Sequence, residues 1–283
     1  MKALSRVYRA TDAHWVGDGF PVRTVFSYNT HGVDISPFLL LDYAGPAEFP
    51  PASPPRGVGE HPHRGFETVT IVYQGEVEHR DSAGNRGRIG PGDVQWMTAA
   101  KGIVHEEMHG RAFAAQGGTI EMIQLWVNLP AKDKMSPPRY QEIVARAIPT
   151  VSLGKGGSIA RIIAGSYEGK TGPARTFTPV NVWDLRLAAG HKVDLRLRDG
   201  FTALLFVLKG SVSMNGAETV RTAELATFER AGERIVLVPH EDTMLLAMNG
   251  EPIDEPVVGY GPFVMNTHEE IAQAVADYGA GRL

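Results

Sequence analysis

The chain has no cysteine among its 283 residues. Disulfides and thiolate ligands are therefore excluded, and any metal ion must be held by histidine, aspartate or glutamate. The chain also lacks an apolar run near the roughly 18 residues that a membrane span needs. Residues 1–6 are not followed by the apolar stretch of a secretory signal. We therefore expect a cytoplasmic protein without a membrane partner.

Charge of one sign does not dominate either. Lysine and arginine number 28, aspartate and glutamate number 32, and the net charge is −4. A nucleic-acid surface needs concentrated lysine and arginine, so we expect no direct nucleic-acid partner. The length predicts about two domains, and the hydrophobic fraction of 43% is enough for a sizeable core. We expect a monomer.

Short apolar runs separated by turn residues fill most of the chain, which contains 32 glycines and 19 prolines. This pattern is typical of β-sandwiches and barrels, so we predict an all-β fold. A polar, proline-rich stretch near residue 135 resembles a linker. We therefore predict an N-terminal domain over residues 1–130, a linker over 131–145 and a C-terminal domain over 146–283.

The last segment has the pattern of an amphipathic helix. Thr267 and Glu270 have the spacing of a capping box. Beyond them, four apolar residues recur at helical spacing, namely Ile271, Ala274, Val275 and Tyr278. The sequence therefore predicts a C-terminal α-helix that packs on a sheet.

Two histidine motifs carry the chemistry of this chain. His61-Pro62-His63 places two imidazoles on one face if the segment is a strand, and His105-Glu106-Glu107 repeats the spacing. Three nitrogens and one carboxylate around one centre suit a divalent transition metal. The alternative is that these residues are surface polar groups or buried histidines bonded to other protein groups.

Further residues are candidates for the surroundings of such a site. Glu67 could be a ligand, a carboxylate that orients a histidine, or a general base. Binding pockets are mostly apolar with a few polar groups. Residues on flanking segments could therefore line a pocket for a flat aromatic molecule, with ordinary core packing as the alternative for each: Phe66, Trp96, Met97, Met122 and Gln124.

The two halves share a strand–glycine–strand pattern. An offset of 135 residues aligns Gly75 with Gly210, and it places Arg196 and Arg198 at the positions of His61 and His63. This indicates an internal duplication in which only the first copy binds metal. A chance match between two hairpins is the alternative.

Longer motifs resemble those of one family. The segment from His61 to Glu67 fits the first cupin motif, although no glycine lies six residues before His61. The second motif has Ala100 where the family pattern has proline. Five strings together resemble the pirin family across nearly the whole chain: HPHRGFET (61–68), PGDVQWMTA (91–99), GIVHEE (102–107), NLPAKDK (128–134) and GPFVMNT (261–267).

The resemblance implies two cupin-type β-sandwich barrels face to face, a bicupin, with metal only in the N-terminal barrel. The ligands it implies are His61, His63, His105 and Glu107, so Glu67 is not among them. Iron(II) is the expected ion, with manganese, nickel, copper or zinc as alternatives.

The resemblance also implies an activity. Some pirins cleave the flavonol quercetin with dioxygen and release carbon monoxide, which would make Glu107 both a ligand and the general base. Other pirins bind a transcription factor or a metabolic enzyme as iron-dependent regulators. A metal-free sugar-binding or isomerase cupin is a third reading, but it would leave four convergent polar side chains without a function.

Overall fold

A computed structural model describes residues 1–9, 12–154 and 156–283. The predicted all-β fold with a C-terminal helix is confirmed. The strands are β1 (Leu4–Arg9), β2 (His14–Val16), β3 (Phe20–Ser27), β4 (Phe38–Phe49), β5 (Gly57–His63), β6 (Phe66–Gln74), β7 (Val77–Asp81), β8 (Arg86–Ile89), β9 (Val94–Thr98), β10 (Ile103–His109), β11 (Gly118–Asn128), β12 (Arg139–Ile143), β13 (Thr150–Ser152), β14 (Ile159–Ala164), β15 (Ser166–Tyr167), β16 (Lys170–Thr171), β17 (Val180–Leu187), β18 (Val193–Arg196), β19 (Thr202–Lys209), β20 (Ser211–Met214), β21 (Glu218–Arg221), β22 (Glu224–Phe228), β23 (Arg234–Pro239), β24 (Thr243–Gly250), β25 (Val258–Tyr260) and β26 (Phe263–Met265).

Three α-helices and three 3₁₀ turns complete the secondary structure of the described residues. The helices are α1 (Tyr28–His31), α2 (Arg111–Gln116) and α3 (His268–Gly279), and the 3₁₀ turns are Gly32–Ile35, Ala131–Asp133 and Ala145–Ala147. Within the part of the chain that the structure describes, no helix is both long enough and apolar enough to cross a membrane.

The chain forms two units, each built on a seven-stranded and a four-stranded sheet. The histidine unit comprises Asp12–Tyr28, Phe38–Ala145 and Ile253–Leu283. Its sheets have the strand orders β12-β9-β6-β11-β4-β3-β2 and β5-β10-β7-β8. Side chains from both sheets form one core between them, including Val72 of β6 and Val77 of β7.

The other unit, which we call the apolar unit, comprises Met1–Thr11, Asn29–Pro37 and Arg146–Pro252. Its sheets have the orders β1-β22-β19-β24-β17-β14-β13 and β18-β23-β20-β21. The two units therefore repeat one architecture, as the shared strand–glycine–strand pattern indicates. The interior of the apolar unit is filled by side chains such as Leu195, Leu205 and Ile235.

The predicted alignment of the two halves is wrong by one residue around β18. The offset of 135 residues aligns β6 with β19, but Arg196 and Arg198 do not face the interior. Both arginines are exposed, whereas Leu195 and Leu197 are buried. A shift of one residue reverses the face of every side chain in a strand, so leucine occupies the inward positions.

Each unit contains the terminal segment that the predicted boundaries assign to the other unit. β1 pairs with β22 of the apolar unit and covers the edge of its sheet. The buried Lys2 donates hydrogen bonds to the carbonyls of Phe201 and Arg230 in the same unit. The C-terminal helix α3 instead contacts β25 and β26 of the histidine unit.

The segment predicted as a linker is part of the histidine unit. Its strand β12 pairs in antiparallel register with β9 and forms one edge of the seven-stranded sheet. Gln141 and Ile143 are buried on this strand and Glu142 between them is exposed. This alternation of buried and exposed residues is a strand pattern, which the neighbouring prolines hide in the sequence.

The capping box of α3 is confirmed. The Thr267 side chain accepts a hydrogen bond from the Glu270 backbone, and the Glu270 side chain accepts one from the Thr267 backbone. Ile271 and Ala274 are buried, whereas Tyr278 is 43% exposed. The buried face is narrower than predicted because the helix packs on a ribbon of only two strands.

A buried lysine, Lys134, connects the segment over residues 131–145 to the loop beside His63. Lys134 Nζ donates to Gly65 O at 2.7 Å, Asn128 Oδ1 at 2.7 Å and Val264 O at 3.0 Å. Burial lowers the pKa of Lys134 to about 7. We expect Lys134→Met to lower the free energy of unfolding by about 3 kcal/mol or more, because each buried acceptor left unpaired costs about 1–3 kcal/mol.

Chemical denaturation of both variants measures this effect. Lys132→Met is the matched control, since Lys132 is exposed two residues earlier, and it should change the unfolding midpoint little. Equal stability of the two variants would show that the Lys134 contacts do not stabilise the unit.

Candidate metal centre

Two neighbouring strands bring three histidines together. β5 and β10 are antiparallel, with His61 opposite His105 and His63 opposite Ile103. Alternation along each strand then directs the three imidazoles to one side. The ring centroids lie 4.3 Å apart for His61 and His105, and 5.0 Å apart for His63 and each of the other two.

One unprotonated ring nitrogen from each histidine is available to a metal ion. These three nitrogen atoms all lie within 4.8 Å of one another. His61 Nδ1 lies 2.8 Å from Gly59 O, and a carbonyl only accepts, so Nδ1 carries the proton and Nε2 is the lone pair. Among the described residues, His63 Nδ1 and His105 Nε2 are buried without a hydrogen-bond partner. A metal ion is the partner that such a set of nitrogens fits.

Burial also sets the protonation of these rings. Desolvation, followed by repulsion from His61, lowers the pKa of His63 to about 3. Desolvation and the neighbouring histidines hold the pKa of His105 well below its ordinary value of 6.5. Both imidazoles are therefore neutral near pH 7, which is the form that binds a metal ion.

Glu107 lies beside the histidine group rather than in it. It is buried and two residues beyond His105, so it shares the inward face of β10. Its Oε1 accepts hydrogen bonds from Thr70 at 3.0 Å and Gln95 at 3.4 Å, and its Oε2 accepts one from Gln124 at 3.1 Å. The ligand role of Glu107 stays a prediction, and the structure shows its carboxylate held by three neutral donors.

Two of the predicted pocket residues lie at the centre. Phe66 is buried with its ring centroid 5.2 Å from that of His63. It also stacks on Trp126 at 4.3 Å with an interplanar angle of 29°. Gln124 contacts both Glu107 and Thr70. Sequence reasoning missed Trp126, although alternation from Gln124 would have placed it on the same face.

The other three predicted pocket residues, Trp96, Met97 and Met122, do not all face the histidines. Gln95 of β9 faces the centre because it bonds Glu107, so Met97 shares its side. Trp96 lies between them and points to the opposite face, where it is fully buried, and we no longer expect it to line the pocket. Met122 belongs to the hydrophobic core of the unit with Val72.

Glu67 also faces away from the histidines. The predicted alignment with His63 assumed one continuous strand, but the chain turns at Gly65, with φ of +93°. A side chain cannot replace glycine there, since its Cβ would lie 1.9 Å from Val264 O. Glu67 Oε1 instead accepts a hydrogen bond from Thr98 Oγ1 at 2.7 Å and lies 3.9 Å from Arg139 Nη2.

A second histidine–carboxylate motif was missed. His79 and Asp81 lie on β7, which pairs with β10, and both side chains are fully buried. His79 stacks on Tyr140 of β12 with ring centroids 4.8 Å apart. The spacing of His79 and Asp81 equals that of His61 and His63, so the same period-two argument would have found them.

Comparison with known proteins agrees with this geometry. The pirin family model matches residues 19–127, and the model of the pirin C-terminal cupin domain matches residues 182–283. A Pseudomonas aeruginosa protein named "Putative quercetin 2,3-dioxygenase" is 58% identical over 282 residues, covering 100% of this chain and 98% of the relative. Human pirin is 38% identical over 250 residues, covering 87% and 82%.

A solved structure is similar throughout. The crystal structure of a quercetin 2,3-dioxygenase from Acinetobacter baumannii superposes with a TM-score of 0.97 at 51% identity, covering 100% of this chain and 98% of that one. The resemblance stated from the motifs and the prediction of two cupin domains are both confirmed.

The buried carboxylate of Glu67 makes stability depend on pH. Burial raises its pKa from 4.5 to about 7. Between these values the folded state keeps a proton that the unfolded state releases, so stability falls as pH rises through this range. Glu67→Gln is neutral at every pH. We expect the free energy of unfolding of this variant, relative to the parent protein, to rise by up to about 3 kcal/mol from pH 5 to pH 8.

Urea denaturation at several pH values measures this difference. Glu142→Gln is the control, since Glu142 is an exposed carboxylate on β12, and its curve should run parallel to that of the parent. A parallel curve for Glu67→Gln would show that Glu67 is already charged in the folded protein at pH 5.

Proposed function

Because this chain belongs to the pirin family, we propose that it is a metal-dependent dioxygenase of the quercetin 2,3-dioxygenase type. The observation that carries the proposal is the group of three converging imidazoles, of which His63 and His105 are buried and neutral, with a carboxylate beside it. The names of the Pseudomonas relative and the Acinetobacter structure support the same reaction. The substrate class would be flavonols, which are flat aromatic molecules with an acidic hydroxyl.

The three histidines His61, His63 and His105 would hold one divalent ion. Such an ion supplies a Lewis acid and a redox centre with positions left open for substrate and dioxygen. Iron(II) is the proposed ion, with manganese, nickel, copper and zinc as alternatives that the same nitrogen ligands accept.

Glu107 would act on the substrate as a general base. A flavonol must lose the proton of its 3-hydroxyl before dioxygen can attack the ring, and the proton would move to the Glu107 carboxylate. Thr70, Gln95 and Gln124 fix the position of this carboxylate through their hydrogen bonds. Glu107 would also bind the metal ion. This requires only that one carboxylate oxygen give up its hydrogen bonds and contact the ion instead.

Trp126 beside His63 would contact the substrate rings, and the fully buried Phe66 would hold the Trp126 ring in place. Phe66 and Trp126 form a stacked pair, and the Trp126 ring centroid lies 5.4 Å from that of His63. Offset stacking favours further aromatic rings against such a pair.

Paired glutamate variants test the general base. We expect Glu107→Gln to lower kcat for quercetin by about 10²–10⁴-fold, the usual contribution of a positioned base. Glu106→Gln should leave kcat near that of the parent, because Glu106 pairs with Arg80 at 3.0 Å on the other side of β10. Oxygen consumption and carbon monoxide release by protein loaded anaerobically with metal are the measurements.

The same assay distinguishes the dioxygenase from the alternative function as a regulator. Absence of turnover with iron, manganese, nickel and copper would contradict the proposed enzyme. A protein partner captured from native lysate only when His61 is intact would then support a metal-dependent regulator.

A further inference from the structure

A row of three buried side chains crosses β7 and β10 behind the histidine group. Asp81 Oδ2 lies 3.1 Å from His79 Nε2, and His79 Nδ1 lies 3.4 Å from His105 Nδ1. The side chains of Asp81 and His79 are fully buried, and His105 is 1% exposed. The row ends at His105 Nε2, which is buried without a hydrogen-bond partner among the described residues.

The position of each proton follows from the chemistry of the row. A carboxylate accepts hydrogen bonds and does not donate them, so His79 Nε2 carries the proton shared with Asp81. In a neutral His79 ring, Nδ1 is then the lone pair. Two lone pairs facing each other repel, so His105 Nδ1 must carry a proton and donate it to His79. His105 Nε2 is therefore the lone pair that joins the histidine group.

We propose that Asp81 and His79 are positioning residues that fix the tautomer of His105 for metal binding. The inference rests on the metal site of the proposed function, and it adds residues that act through a ligand. A metal-bound histidine needs a partner for its other ring nitrogen, and loss of such a partner weakens metal binding by about 10–100-fold.

The surroundings hold Asp81 and His79 in place. Asp81 Oδ1 accepts hydrogen bonds from the backbone of Ala83 at 3.0 Å and Asn85 at 2.9 Å, so the loop between β7 and β8 fixes the carboxylate. Stacking on Tyr140 fixes the plane of the His79 ring. Orientation of His79 therefore does not depend on a bound ion.

Gln95 is consistent with the same assignment. Its Nε2 lies 3.3 Å from His79 Nδ1 and 3.4 Å from Glu107 Oε1. The amide has two N–H groups, one for each acceptor. Both neighbours of His79 Nδ1 are thus donors, as required if that nitrogen is a lone pair. Gln95 also connects the row to the proposed base.

The decisive variant is Asp81→Asn. Its oxygen can keep the loop contacts of Oδ1, which places the amide nitrogen against His79 Nε2. That nitrogen donates, so His79 must move its proton to Nδ1 and donate to His105. His105 would then carry its proton on Nε2 and lose the lone pair that faces the other histidines.

Two measurements follow this change. Nitrogen-15 NMR of the metal-free protein reports which ring nitrogen of His105 is protonated, and chelator competition gives the dissociation constant for nickel(II). We expect the Nδ1–H tautomer in the parent protein and the Nε2–H tautomer in Asp81→Asn. Nickel should bind the variant about 10–100-fold more weakly.

Asp93→Asn is the matched control. The Asp93 carboxylate also holds a turn of the histidine unit, where it accepts hydrogen bonds from the backbone of Gly90 and Ala145. Both the tautomer and the nickel affinity should be those of the parent. If Asp81→Asn does not fold, His79→Phe keeps an aromatic ring against Tyr140 and removes the acceptor, and it should weaken nickel binding to a similar degree.

The results separate this inference from the proposed function. An Nε2–H tautomer in the parent protein, or parent-like nickel affinity in a folded Asp81→Asn or His79→Phe variant, would overturn the positioning role. The predicted tautomers and affinities without quercetin turnover would support the positioning role and count against the dioxygenase alone.

Discussion

The pairing of β5 with β10 is the interaction on which the rest of the site depends. It sets His61 opposite His105 and directs both rings to the same face of the strand pair. The register shifts between His105 and Glu107, where Glu107 faces Val58. The extra residue lies on β5, so β10 keeps its alternation and Glu107 stays on the same face as His105. The carboxylate therefore lies beside the imidazoles, among donors from β6, β9 and β11.

The two units show how one architecture supports two interiors. Each has a seven-stranded and a four-stranded sheet. In the histidine unit, polar side chains occupy the inward positions of β5 and β10. In the apolar unit, the corresponding strands β18 and β23 place Leu195 opposite Ile235, and both are fully buried. A polar group buried there without a partner would be costly, so the apolar interior is the simpler packing solution.

Local periodicity predicted the features that depend on one strand or one helix. The shared face of His61 and His63 and the capping box of α3 need only a short stretch of sequence. Features that depend on pairing between distant strands could not be predicted in this way. The exchange of β1 into the apolar unit is one, because the sequence of β1 does not show which sheet edge is open. The reversal of Glu67 at Gly65 is another, since a single glycine turn resets the face of every following residue.

The central claim is that His61, His63 and His105 together hold one divalent transition metal. X-ray absorption spectroscopy of the freshly purified protein tests it most directly, with elemental analysis of the same sample. We predict about one metal ion per chain, with scattering from three imidazole ligands. A metal ion without imidazole scattering, or a protein that takes up no transition metal when supplied with one, would contradict the account.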